Sequence, residues 1–232
     1  VTRDRTPSAR RRRRPTRTGQ LLSEELIVDT CLRLIEQHGG QALSMRRLGA
    51  ALGSDATAVY RYFPGKDELL LAVADELIGR AMAGFRPSGD WLDDMRRMAV
   101  LVYRKHQTHP RTAALAAARV TGRANEISTV ETMLGVMRGG GFSEADAVRH
   151  YLSYIDMVLA FSALDAAARS TPGWGQPEPA WRSAYLGLAA ERYPNIAAAS
   201  DELITRLSGS SFPLALELFL SALAGASAPA AG

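Results

Sequence analysis

The sequence predicts an all-α protein, with a small N-terminal three-helix domain and a larger helical domain after it. Three observations predict this. Leucine, alanine and methionine dominate from about residue 23 onward. Apolar residues recur at three- and four-residue intervals rather than alternating. No hairpin turn separates alternating runs, and β-branched runs are absent. With 232 residues, 47% of them apolar, the chain has enough material for a sizeable core.

The first helix is expected over 23–38. Ser23 is a capping residue, Glu24 and Glu25 suit the positive end of the helix dipole, and Ile27, Cys31, Leu34 and Ile35 share one face. Gly39-Gly40 ends it. A short helix over 45–52 is capped by Ser44, lined by Met45, Leu48 and Leu52, and stopped by Gly53. Another follows over 55–62, and the next runs from Lys66 to about Ala83. Two short helices around a Gly-containing turn make a helix-turn-helix. After a connection containing Gly84, Pro87 and Gly89, further helices are expected over 91–108, 110–121, 125–139, 143–169, 178–191 and 201–225. The domain plan is an unstructured basic arm over 1–20, the helix-turn-helix domain over 21–67, the larger domain over 68–226 and a tail over 227–232.

Charge is unevenly placed. Residues 1–18 hold eight arginines against one acid, leaving 20 basic and 23 acidic residues in the remainder. The arm reads either as a phosphate-following extension or as a solubilising tail. One cysteine excludes a disulfide framework and agrees with a reducing, cytoplasmic setting, and Cys31 reads as core. The basic start runs into Ser23-Glu24-Glu25 rather than an apolar segment, so no secretory signal is expected. No run of eighteen uncharged apolar residues occurs, so no membrane partner is expected.

The segment Leu43–Leu69 reads LSMRRLGAALGSDATAVYRYFPGKDEL. It resembles the N-terminal domain of the TetR (tetracycline repressor) family. The shared features are the Leu-Ser entry, Arg46-Arg47-Leu48, Leu52-Gly53, the Ala58–Phe63 helix, and Lys66 with Glu68-Leu69. The resemblance implies a dimer that binds palindromic operator DNA, represses transcription and is released by a small molecule. Ser44, Arg46, Arg47, Thr57, Tyr60, Arg61, Tyr62 and Lys66 are the candidate DNA contacts. Arg46 can take guanine O6 and N7 together, Tyr60 and Arg61 suit phosphates and thymine methyls, and Lys66 suits a phosphate. The competing reading makes Tyr60 and Tyr62 packing residues and the arginines a solvated face. Ala56 offers only a methyl where the family's namesake has a larger polar reader, which shifts weight to Arg46, Thr57 and Arg61.

The C-terminal half is similar to the tetracycline repressor subgroup at Gly89-Asp90-Trp91, His109, Gly141-Phe142-Ser143 and Phe212–Leu218. That subgroup implies dimerisation through the long helix and the last helix. The last helix is apolar nearly all round, as a seam requires. The positions that would hold tetracycline and its magnesium fall on Met98, Val102, Ala116 and Met133, so neither a metal nor a cofactor is expected. Met98, Val102, Arg119, Met133, Met137, Tyr154, Met157 and Phe161, with Tyr151 beside them, are candidates for a pocket that takes a hydrophobic or aromatic molecule. The competing reading makes each of them a plain core residue.

Enzyme signatures are missing: no G-x-S-x-G, P-loop or G-x-G-x-x-G occurs, and His106 and His109 lack further ligands at metal-binding spacing. The alternative to a ligand-released repressor is a DNA-binding activator or architectural protein without a small ligand.

Overall fold

The computed structural model describes residues 21–116, 120–169, 180–207 and 209–227. The basic arm, Arg119, the Pro/Gly-rich segment over 170–179 and residues 228–232 of the expected tail lie outside them. Twelve α-helices and no strand occur among the described residues. The chain divides into two compact units, Val1–Leu69 and Leu70–Gly232.

In the first unit, α1 (Glu24–His38) is capped by Ser23, whose Oγ accepts from Leu26 N at 3.2 Å. It ends at Gly39, which takes φ 77° and bonds Ile35 O. A 3₁₀ turn leads to α2 (Met45–Ala51) and α3 (Ala56–Tyr60), and α4 (Lys66–Met82) begins here. The five residues of α3 fall far below the roughly 12–15 that an isolated helix needs. Packing holds it instead: Ile27, Cys31, Ile35, Leu48, Val59 and Phe63 are all at most 1% exposed.

The second unit holds the rest of α4 with α5 (Trp91–Thr108), α6 (Pro110–Ala116), α7 (Ala124–Gly139) and α8 (Glu144–Arg169). After these come α9 (Ala180–Leu186), α10 (Pro194–Ala198), α11 (Ser200–Leu207) and α12 (Phe212–Ala226). The α5–α8 pair is its centre, with α6, α7 and α12 packed on both. Met95, Met98, Ala99, Met133, Met137, Tyr154 and Val158 are fully buried there. Length and composition alone would let α8 cross a membrane. Its packing against four helices and its buried Asp165 match the central helix of a bundle.

The start of α12 is pinned to α5 and α8. The Tyr103 ring stacks on Phe212 with centroids 4.1 Å apart, and its hydroxyl donates to Asp165 at 2.5 Å. Ser210 also donates to Asp165, and its Oγ accepts from Phe212 N at 3.1 Å. Arg96 makes a two-pronged pair with Glu217 at 2.8 and 3.1 Å, although both side chains are too exposed for the pair to add much stability.

Three helix expectations change. The helix expected over 110–121 is described only as far as Ala116. The one expected over 178–191 stops at Leu186, because Gly187 follows and Pro194 opens a separate helix, α10. The single helix expected over 201–225 is two. Gly209, Ser210 and Ser211 interrupt it, and Pro213 occupies the first turn of α12, where a missing N–H costs nothing.

Candidate nucleic-acid interface and ligand cavity

Local chemistry builds the helix pair of the first unit. Ser44 Oγ accepts from Arg47 N at 3.2 Å, and Asp55 Oδ1 accepts from Ala58 N at 2.8 Å, so each short helix carries its own cap. The turn between them uses Gly53 at φ 64°, in the left-handed region that favours glycine. Gly49 permits the close approach. A Cβ there would lie 2.9 Å from the Asp55 carbonyl carbon and 3.0 Å from Ala56 N.

On this frame Arg46, Arg47, Thr57, Tyr60, Arg61 and Lys66 are exposed, Tyr60 by 50%. Thr57, Tyr60 and Arg61 fall at i, i+3 and i+4, one face of α3. Lys66 Nζ donates to Gly40 O at 3.2 Å, which leaves two of its three protons for an anion. Ser44 is exposed but already serves as a cap. Tyr62 differs from Tyr60. It is half-buried and its hydroxyl donates to Leu22 O at 2.6 Å, tying the segment before α1 to the end of α3.

Cys31 lies in this unit's core, where burial pushes its thiol up to about 12 against the opposing pull of the Lys66 ammonium. Iodoacetamide at mildly alkaline pH should therefore label Cys31 only as fast as the unit opens, and denaturant should make labelling immediate. Rapid labelling of the native protein would show that the core is open.

In the second unit a cavity of ≈ 300 Å³ lies among α4, α5, α7 and α8. Ala74, Leu77, Ile78 and Ala81 of α4 form one apolar wall, and Tyr151, Leu152, Ile155 and Leu159 of α8 another. Met98 and Val102 line it, as does Tyr151. The other described pocket candidates do not. Met133, Met137 and Tyr154 are fully buried in the core, while Met157 and Phe161 are half-buried against it.

Helical geometry gives the reason. On α7 the cavity meets Glu126, Thr129 and Val130, and Met133 lies a further turn along, about 5 Å on in the direction of the helix axis. On α8, residues 151, 155 and 159 face the cavity, whereas Tyr154 and Phe161 turn toward Phe219 and Phe212 of α12. Tyr154 also donates its hydroxyl to Met95 O at 2.5 Å.

Sequence reasoning missed the polar groups of the cavity: His106, Glu126, Thr129 and Asp156. The His106 side chain is buried, and its Nδ1 lies 2.8 Å from Val102 O, which can only accept. Nδ1 therefore carries the proton. Burial first, and the neighbouring His109 second, lower its pKa against the bond to Val102, so Nε2 holds a lone pair. Burial and the charge of Glu126 push the Tyr151 hydroxyl up to about 12.

Glu126 belongs to a network that fixes the N-terminus of α7. Arg123 at the cap position makes no side-chain cap. The carboxylate comes instead from Asp75 on α4, which is 7% exposed and accepts from Glu126 N at 2.9 Å, Asn125 N at 3.3 Å and Asn125 Nδ2 at 3.0 Å. In turn Glu126 Oε2 accepts from Thr121 N at 2.8 Å, Thr121 Oγ1 at 2.9 Å and Gly122 N at 2.7 Å. No group of three or more His, Cys, Asp or Glu side chains is placed to hold a metal among the described residues.

Known proteins share both units. Residues 27–73 match the family model for bacterial regulatory proteins of the tetR family, and residues 84–226 match the tetracyclin repressor-like C-terminal domain. An HTH-type transcriptional regulator of Saccharopolyspora erythraea is 29% identical over 133 residues, 57% of this chain and 56% of that protein. The HTH-type transcriptional repressor DrrR1 of Streptomyces coeruleorubidus is 35% identical over 106 residues, 40% of this chain and 37% of that protein. The chain thus spans about half or less of the length of these relatives. The Streptomyces coelicolor TetR family protein ActR, solved in complex with actinorhodin, superposes with a TM-score of 0.78 at 25% identity, covering 90% of this chain and 99% of that one. With both domain models matched in order over the same helices that build the two units, the chain belongs to the TetR family of bacterial regulatory proteins.

Proposed function

We propose that the chain is a cytoplasmic transcriptional repressor that binds a palindromic operator as a dimer and leaves it when a small hydrophobic or aromatic molecule enters the cavity. The observation that carries this reading is the pairing, in one chain, of a capped helix pair exposing Arg46, Arg47, Thr57, Tyr60, Arg61 and Lys66 with a ≈ 300 Å³ cavity in the other unit. The exposed cations suit phosphates, and the guanidinium fork of Arg46 suits a guanine edge. Ser44 and Tyr62 act in this reading by holding the helices in place.

Dimerisation is supported by apolar surface that the chain leaves uncovered. Leu214 and Leu218 on α12 are 62% and 63% exposed, and Val148, Leu152 and Leu164 on α8 are also exposed. Release requires that the ligand bind the DNA-free form better, and DNA then weakens ligand binding by the same factor. Helix α4 links the two events along the chain, since it starts at Lys66 and carries the cavity wall from Ala74 to Ala81. The names of the relatives agree: one is a repressor, and ActR was solved in complex with actinorhodin.

The test is a mobility shift on palindromes from the protein's own upstream region, with and without hydrophobic aromatic compounds. Specific binding lost with one compound supports the repressor. Specific binding that resists every compound leaves a constitutive DNA-binding protein. Arg46→Ala should weaken specific binding by about tenfold or more, from a lost base contact of roughly 1–3 kcal/mol. Because Arg46 is exposed, its thermal unfolding midpoint should stay unchanged. Unchanged affinity would remove Arg46 from the reading face.

A further inference from the structure

The polar groups of the cavity are one-sided. Glu126 and Asp156 bring carboxylates to its wall, and His106 brings a ring nitrogen whose lone pair has no protein partner among the described residues. Donors are scarce: the Thr129 and Tyr151 hydroxyls are the uncharged ones, and no lysine or arginine occurs among the described lining residues. The rest of the wall is apolar. A carboxylate ligand would meet two like charges, and none of the described lining residues is a cation that could offset them. A ligand with acceptors alone would leave the lone pair of His106, in a buried side chain, unanswered. What is lacking is a positive charge with several N–H donors on an apolar body.

We propose that the effector is a hydrophobic aromatic amine, bound as its ammonium form. Its rings lie against the α4 and α8 walls, and its charge is taken by the acceptors that Glu126, Asp156 and His106 present. This rests on the reading of the cavity as the effector site. The two carboxylates play different parts. Glu126 is held by the network that fixes the start of α7, so it is pre-oriented before any ligand arrives. Asp156 is exposed and makes no hydrogen bond within the described residues, so its carboxylate is available on the cavity wall.

Three matched probes test this by calorimetric titration of the full chain without DNA: naphthylmethylamine, naphthylmethanol and naphthoate. They share the ring system and differ in charge. The amine should bind about tenfold more tightly than the alcohol, the gain expected when a neutral hydrogen bond becomes a charged one, and naphthoate should bind more weakly still. Asp156→Asn and, separately, Glu126→Gln should each lower the affinity of the amine by more than they change that of the alcohol, so that the advantage of the amine shrinks. An unchanged unfolding midpoint for Asp156→Asn confirms that the fold persists. Equal affinity for the three probes, or tighter naphthoate, would overturn the proposal and leave the cavity as an effector site. Preference for the amine that survives in both variants and in the double variant would also overturn it. No binding by any probe would overturn both this proposal and the reading of the cavity.

Discussion

Asp75→Ala should lower the thermal unfolding midpoint by roughly 6–12 °C, the shift that a loss of about 3 kcal/mol produces in a chain of this size. Asp75 is buried on α4 and accepts from the Asn125 and Glu126 backbone N–H groups and from the Asn125 side chain. Alanine removes the acceptor and leaves those donors without it. Losing an N-terminal cap alone costs about 1 kcal/mol, and buried donors without partners add about 1–3 kcal/mol. Removing the burial cost of a carboxylate works in the other direction, but several donors on one side chain outweigh it. Asp75→Asn keeps one acceptor oxygen and should lose about half as much. Freed from its anchor, the start of α7 should also release Glu126, so amide exchange at Asn125 and Glu126 should accelerate more than exchange at the far end of α7. A midpoint within about a degree of wild type would mean that the Asp75 bonds contribute no net stability.

Gly49→Val should disrupt the first unit while leaving the second intact. A Cβ at residue 49 would lie 2.9–3.0 Å from backbone atoms of Asp55 and Ala56, and backbone, unlike a flexible side chain, cannot swing aside. Forcing the helices apart costs about 2 kcal/mol or more, a large share of what a unit this small can hold. The Ser54 N bond to Gly49 O at 2.9 Å lies at the same place and should open with it. Amide exchange should rise in α2 and α3, operator affinity should fall at least tenfold, and ligand binding in the cavity should persist. Gly49→Ala should show the same pattern more weakly. Wild-type exchange in α2 and α3 of the valine variant would show that the two helices have room to separate without loss.

The legible parts of the fold were those whose causes lie within a few residues. Ser23, Ser44, Asp55 and Asp90 each sit before a helix and accept from the N–H three residues on, so the starts of α1, α2, α3 and α5 are local events. The helix pair was legible for the same reason. Exposure of Arg46, Thr57, Tyr60 and Arg61 follows from the burial of Leu48, Val59 and Phe63 on the opposite faces. The break between α11 and α12 was also written locally, in Gly209 and Pro213. The apolar spacing on both sides masked it, because periodicity records which face is buried and not whether the axis continues.

The sequence by itself determined an all-α chain, its helix caps, the helix-turn-helix and the residues that pair exposes. Only the tertiary structure decided where the cavity lies. A 3.6-residue period marks an inward face, yet a side chain packed against another helix and one that borders a cavity carry the same periodic signal. Met133, Met137 and Tyr154 took the first place, and Met98 and Val102 the second. The polar lining was hidden for a related reason. Glu126 looks like an ordinary first-turn acid, and Asp75 like one of many charges on α4. Their roles arise from a hydrogen-bond network that joins residues about 50 positions apart, which no local window contains.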